Sequence, residues 1–532
     1  MCLALPAPAG ASVAPGRVTF PLGDGRVVNS VDAFGLSVGT ALPDGGMVLA
    51  GTDLGKGLVL AQLRADGSLD PSFGQGGIAH VATGPASPLQ LLRRPDGRLV
   101  VVSAGTAADP HHTPQLVLAG LTPSGALDPS FGQGGIAQTG IDGDCGNCSP
   151  AALGADGSIA VAGSTGPFPG STWVVGLLTP AGTPDPGFGD HGIATLPGTL
   201  GYASVLAGGR ITTAGQDASG AKLARLLPNG KPDPTWNGGQ PVAIPTKLPF
   251  PFGLLARADG SVDVLASGTD GAELRRYTTT GQPDSAFGTV QLAGAPGPAD
   301  LLAAPDGGDL VVAASTLNPQ SEPPAERIAR VAPDGAVTAK ADVPTPFGGG
   351  VATFFARHRA PFVTSLNQSG FHAGHAFVRP DGSLVVPGMV NVVQYTGEGV
   401  GFEVEQAAVA AIAPNLSLDA SFGGAATVAR LRIGVPRQRA STARKIDRLA
   451  VTVKATTPGP GLAFLTVKAG RHTIARSIAP VLRGGSQRLR ALLTLTGRRY
   501  LRHRHNVRVS VRATFSDLLA QRRTSTARGT LR

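Results

Sequence analysis

The stretch Leu63–Val81, LRADGSLDPSFGQGGIAHV, decides the fold, because the chain writes it again and again. It returns as LTPSGALDPSFGQGGIAQT (121–139) and LTPAGTPDPGFGDHGIATL (178–196). Looser copies follow: LLPNGKPDPTWNGGQPVAI (226–244), YTTTGQPDSAFGTVQLA (277–293), VAPDGAVTAKADVPTPFGG (331–349) and IAPNLSLDASFGGAATVA (412–429). Each copy carries one aromatic anchor: Phe73, Phe131, Phe188, Trp236, Phe287, Phe347 and Phe422, at spacings of 58, 57, 48, 51, 60 and 75. Repeats of this period mark arrays in which each unit buries its apolar faces against its neighbours.

A second motif, a turn followed by a short apolar run, alternates with the first. It reads LPDGGMVLAG (42–51), RPDGRLVVVSAG (94–105), GADGSIAVAG (154–163), LAGGRITTAG (206–215), RADGSVDVLASG (257–268), APDGGDLVVAAS (304–315) and RPDGSLVVPG (379–388). Asp-Gly pairs suit tight hairpins that need φ > 0, and the runs after them are strand-like. One unit therefore reads as four strands, for example Pro88–Leu92, Arg98–Ser103, Gln115–Leu121 and Gly135–Thr139. Two motifs with the same count of seven predict a seven-bladed β-propeller of four-stranded blades over residues 16–432. In D-P-S-F-G the Asp caps a turn, Pro fixes φ, and the aromatic packs between sheets. The last copy supplies its own fourth strand at Ala425–Leu431; Gly16–Phe20 either closes the ring beside the first or last blade or stands apart from an open array.

These motifs resemble the delta-60 repeat β-propellers of secreted bacterial proteins, over roughly residues 30–430. The resemblance implies the propeller fold and no catalytic residues. Trp236 and the 331–349 copy depart from the pattern, which affects blade boundaries there.

Composition agrees with a turn-rich β protein. The 532 residues include 76 Gly and 45 Pro, which excludes bundles and folds built on long helices. Residues 430–532 hold 24 Lys and Arg against two acids, Asp447 and Asp517, a net of +22, whereas residues 1–429 carry a net of −12. The acidic body is thus fused through a linker (433–445) to a basic unit, 446–532, whose alternating strands predict a small antiparallel β-sandwich. That unit resembles the Ig-like C-terminal modules of secreted bacterial proteins. Its charge suits an anionic envelope polymer, lipid surface or nucleic acid, the acidic propeller of the same chain, or simply a solvated face. Few aromatics and no recognised motif speak against sequence-specific nucleic-acid reading.

No run of apolar residues is long enough for a transmembrane helix. CLALPAP followed by Ala9-Gly10-Ala11 reads as the end of a signal peptide, so residues 1–15 are a signal remnant or a disordered N-terminus, and the expected location is extracellular or the cell envelope. Export would leave Cys145 and Cys148, in DCGNC, as a local disulfide rather than a redox pair. His358, His372 and His375 form the one candidate metal cluster, with no acid close in sequence. Gly35-Leu36-Ser37-Val38-Gly39 matches a nucleophile-elbow pattern by letter but lacks its strand-to-helix setting. No phosphate-loop, dinucleotide or zincin motif appears, and we expect no cofactor and no catalytic residue. The expectation is a monomeric, secreted, non-catalytic binding scaffold with an unknown protein or polymer partner. The alternatives are a propeller hydrolase or lyase acting at the mouth of the central channel, and a structural surface protein without a specific ligand.

Overall fold

The computed structural model describes residues 12–14, 17–20, 36–53, 57–84, 86–105, 115–143, 150–166, 170–246, 250–268, 271–293, 299–314, 325–344, 369–396, 399–423, 430–435, 437–446, 448–456, 461–481, 485–517 and 522–532. Phe347, His358, Cys145 and Cys148 fall outside these ranges.

One four-strand group shows how the repeat folds. Strands Ala86–Arg93, Leu99–Gly105, Gln115–Leu121 and Ile136–Asp142 pair antiparallel in chain order. The first reversal is the Asp-Gly turn: Asp96 Oδ1 accepts from the Arg98 amide at 3.0 Å, and Gly97 takes φ 84. An L side chain at Gly97 would be strained, so the glycine is required. In the D-P-S-F corner, Asp128 Oδ1 accepts both the Ser130 amide (3.0 Å) and the Ser130 hydroxyl (2.6 Å). The Phe131 amide donates to the Asp128 carbonyl at 3.0 Å, and the ring drops to 1% exposure.

Four sheets hold four strands each: Leu36–Ala41 to Ile78–Val81, Leu200–Ala207 to Val242–Ala243, Phe250–Ala256 to Thr289–Ala293, and Ala299–Ala303 to Val337–Pro344. An eight-stranded sheet contains the group just described and a second, Ala151–Leu153 to Ile193–Leu196, joined to it at the pair Asp142↔Ser164. The final sheet of this series has six strands and joins the two ends of the repeat region. Strand Arg17–Phe20 pairs with Gly399–Ile412 in the register Arg17↔Ala410 to Phe20↔Ala407. The closing role weighed for Gly16–Phe20 thus falls on the last group. Of the expected fourth strand Ala425–Leu431, residues 425–429 lie outside the described residues, and Arg430 and Leu431 belong to Arg430–Gly434, which pairs with Arg448–Thr456. The N-terminal strand already occupies the edge.

Cores lie between successive groups. Val38, Phe73, Leu99 and Leu121 share one cluster, and Leu36, Met47, Phe377, Val385 and Phe422 share another that binds the last group to the first. Burying an aromatic anchor of this kind contributes on the order of 2–3 kcal/mol from its apolar area. The amide after four of the anchors also reaches the next group's turn: Gly74 to the Ser124 carbonyl (3.2 Å), Gly132 to Ala181 (2.7 Å), Gly189 to Asn229 (3.0 Å) and Asn237 to Thr280 (2.9 Å). The same bond runs from Gly423 in the last group to the Asp66 carbonyl in the first, at 2.8 Å.

The C-terminal residues form one continuous seven-stranded sheet, whereas a sandwich would divide them between two. Its order is Arg430–Gly434, Arg448–Thr456, Gly485–Leu493, His472–Val481, Gly461–Ala469, Val507–Asp517, Arg522–Leu531. The two edge strands lie against each other. Gln438 ties the last strand to the second: its backbone pairs parallel with Leu531, and its side-chain amide bonds both the carbonyl and the amide of Ala450, on Arg448–Thr456, at 3.0 Å. Val451, Leu465, Ile474, Val511 and Phe515 share one buried core with Ala440 and Ala443 of helix α1 (Ala440–Lys445) and Leu501 of helix α2 (Leu495–Leu501). Residues expected to be a linker (433–445) therefore supply the end of an edge strand and helix α1.

Candidate functional site

The first strand of each group lies against the first strand of the next, from Leu36–Ala41 through Ala299–Ala303 to Phe377–Val378 and back to Leu36–Ala41. A channel-facing site would be built on these strands, so their polar groups decide what chemistry is available. Four of them carry a register shift, between Leu36/Val38, Pro88/Gln90, Gly201/Ala203 and Pro251/Gly253. Such bulges turn a residue out of the ladder and bring backbone groups to neighbouring strands. Ser37 Oγ donates to the Pro88 carbonyl at 3.2 Å, Gln90 Oε1 accepts from the Ala151 amide at 3.1 Å, and Ser204 Oγ donates to the Pro150 carbonyl at 3.0 Å.

The same layer contains a histidine–carboxylate pair. His375 Nδ1 lies 2.6 Å from Asp300 Oδ1, and the Ala376 amide donates to Asp300 Oδ2 at 2.6 Å. The His375 amide donates to the Ser37 carbonyl at 2.6 Å. Gly374 has no room for a side chain, since a Cβ there would come within 2.2 Å of the Ser37 oxygen. This segment thus ties together three groups, the last two and the first. Burial pulls the His375 imidazole pKa down, but the charge of Asp300 and its hydrogen bond outweigh it and raise the net value. His375 is the member of the predicted histidine cluster whose side chain the structure places. His372 sits on strand Ser369–Ala373 opposite Met389, and His358 lies outside the described residues. Among the described residues, no three His, Cys, Asp or Glu side chains gather in a metal-holding group. Ser37 lies at a strand bulge, with no helix behind it.

A second charged cluster was invisible in the sequence reading. Asp263 and Asp309 are both fully buried between neighbouring groups, clasped by Arg257 and Arg276. Arg276 Nε bonds Asp263 Oδ1 at 2.6 Å, and Arg257 Nη2 pairs with Asp309 Oδ1. Burial first, and then the neighbouring Asp263 charge, pushes the Asp309 carboxyl up to about 7. The available signal was an acid inside the apolar run in VDVLAS and GGDLVV, where other copies have Val, Ala, Thr, Leu, Ile or Met. Arginine also covers the anchors: Arg225 stacks 4.4 Å over Trp236, Arg276 4.2 Å over Phe287 and Arg379 5.7 Å over Phe422. Of the predicted anchors, Phe73, Phe131, Phe188, Trp236 and Phe422 are at most 1% exposed, and Phe287 is 6% exposed.

The recurring acids are occupied locally. Asp70, Asp128, Asp233 and Asp419 each accept the amide and hydroxyl of the residue two positions on. The Ser130 hydroxyl, the largest influence, holds the Asp128 carboxyl below the usual range, as Ser158 does for Asp156.

These repeated four-stranded antiparallel groups define a β-propeller. A family model described as a domain of unknown function (DUF5122) beta-propeller matches residues 42–73. No curated protein matches the chain by sequence. Among solved structures, a glucose dehydrogenase is 16% identical, covers 59% of this chain and 98% of its own, and has a TM-score of 0.36. The polysaccharide lyase Uly1 is 10% identical over 72% of this chain and 91% of its own, with a TM-score of 0.37. The PQQ-bound aldose sugar dehydrogenase of Streptomyces coelicolor is 13% identical over 75% of this chain and all of its own, with a TM-score of 0.31. Scores and identities this low transfer no activity to the chain.

Proposed function

We propose that this protein is a secreted or cell-surface binding scaffold, a closed seven-bladed propeller without catalytic residues, held against an anionic envelope surface by its basic C-terminal unit. One observation carries the scaffold reading: both carboxylate oxygens of Asp300 are spent joining blades, on the His375 ring and on the Ala376 amide. A carboxylate used in this way fixes the ring, and Asp70, Asp128, Asp233 and Asp419 are taken up by their own turns. The bond from Gly423 to Asp66 supports closure of the seventh blade on the first. Secretion rests on the N-terminal ALPAPAGA segment, and the envelope contact on the +22 balance of residues 430–532.

A hydrolase or lyase is the second reading, favoured by the same pair, because a carboxylate-oriented imidazole is also the geometry of a general base. Asp300→Asn separates the two. The scaffold loses thermal stability by several degrees and gains or loses no turnover on panels of glycosides, uronates and esters. An enzyme shows turnover in the parent protein that falls at least about a hundredfold in the variant, in line with the usual worth of a general base. Such turnover would overturn the scaffold reading.

A further inference from the structure

We propose that one end of the C-terminal sheet, the end carrying α1 and α2, docks on an anionic lipid bilayer by inserting Ile446 and Leu495 among the headgroups. The inference deepens the envelope reading above and rests on it. Three large hydrophobic side chains stand out among the described residues: Val337 at 38% exposure, Ile446 at 54% and Leu495 at 73%. Two of them belong to the C-terminal unit, and register brings those two to the same end. Arg448 pairs with Leu492, so Ile446, just before that strand, and Leu495, just after its partner, emerge together. Helix α1, which Ile446 directly follows, and helix α2, which begins at Leu495, are in contact. The hairpin Ala469↔His472 and the start of Val507–Asp517 lie at this end too.

Cations ring the two aliphatic side chains. Lys445 precedes Ile446, Arg499 lies one turn beyond Leu495, Arg471 occupies the adjacent hairpin tip, and Arg504 stacks 4.2 Å over Tyr500; all four are exposed. The whole unit contains only two acids, Asp447 and Asp517. An exposed aliphatic pair within a rim of guanidinium groups matches an interfacial lipid contact, in which the apolar tips enter the headgroup boundary and the cations meet phosphate. A second copy of this end would bring like charges together. A soluble polyanion would satisfy the arginines and leave the leucine and isoleucine in water. A bilayer satisfies both.

The test uses the full-length protein in sedimentation with vesicles. Vesicles of phosphatidylcholine containing phosphatidylglycerol should carry the protein down, vesicles of phosphatidylcholine alone should not, and added salt should weaken the binding. The double variant Ile446→Asn, Leu495→Asn should lose about tenfold or more in affinity for the mixed vesicles. Its thermal unfolding and its retention by soluble polyphosphate should match the parent protein. Equal vesicle binding by parent and double variant overturns the proposal, as does parent binding to phosphatidylcholine alone. Binding to polyphosphate without binding to vesicles also overturns it while leaving the envelope reading intact. Binding to neither defeats both.

Discussion

In the propeller, acids point inward to the fold's own needs; in the C-terminal sheet, arginines point outward. Asp128 gives one oxygen to a turn and the other to Arg98 at 2.8 Å. Asp419 does the same with Arg379, which is 4% exposed and also reaches the Ala65 carbonyl of the first group at 3.0 Å. In the C-terminal sheet, the row Arg448, Leu492, Arg476, Thr466, Arg512 and Thr526 crosses six strands with a cation on every second one. Cross-strand spacing puts such cations roughly 9–10 Å apart, and the row contains no acid. The lesson is that net charge says little about availability. Carboxylates of the body are taken up by turns and by arginines, while the described cations Arg448, Arg476 and Arg512 stay exposed and set long-range attraction.

The comparison breaks most severely if the N-terminal strand is not the propeller's closing edge. Deleting residues 1–20 should expose the long strand Gly399–Ile412, lower the propeller's unfolding temperature by about ten degrees or more and promote aggregation. The C-terminal sheet should unfold as before, which calorimetry with two resolved transitions would show; a single unchanged transition would refute the closure. Next in size, Trp236→Ala removes an anchor that is 1% exposed together with its Arg225 stack. We expect a loss of about 3–5 kcal/mol in denaturant unfolding of the propeller, and no change in the C-terminal sheet.

The smallest effect is one of pH. Asp309 has a folded-state pKa above its unfolded value, so the stability it confers is full below about pH 4 and is lost as pH rises toward 7. The raised His375 value adds a loss of the same sign above about pH 6.5. Asp128 and Asp156 act oppositely, because their lowered values confer stability that disappears only as pH falls below the carboxylate range. Asp309→Asn should therefore flatten the stability profile between about pH 4 and 7. An unchanged profile, measured by thermal unfolding at several pH values, would show that the buried acid pair is not what titrates.

The turn chemistry was readable in the sequence because it is local: Asp-Gly and D-P-S-F each fix a few consecutive residues, and their repetition gave the four-strand grouping. What escaped was non-local. Nothing in RVTF (17–20) announces that its partner is AAVA (407–410), since any short strand of that pattern can pair with an open edge. Of the stretch 425–431 expected in the last blade, the described residues Arg430 and Leu431 likewise find a non-local partner, in the C-terminal sheet. The buried acids Asp263 and Asp309 look like ordinary surface charges until their strands are seen between two sheets. The histidine cluster was picked for its composition, yet the partner that matters for His375 is Asp300, on another sheet.

Strand Arg17–Phe20 also sets a timetable. It emerges early from the ribosome, but its pairing surface near residue 410 is among the last parts of the repeat region to be made. Arg17–Phe20 must wait, paired only with its neighbour Ser12–Ala14, through the synthesis of nearly the whole array, and the final loop closure carries a long-range entropic cost that local hairpins avoid. Completion of the ring therefore belongs to the finished chain: a truncated or stalled product has its hairpins but no last edge bond, and is open to capture by a chaperone or a protease at that seam.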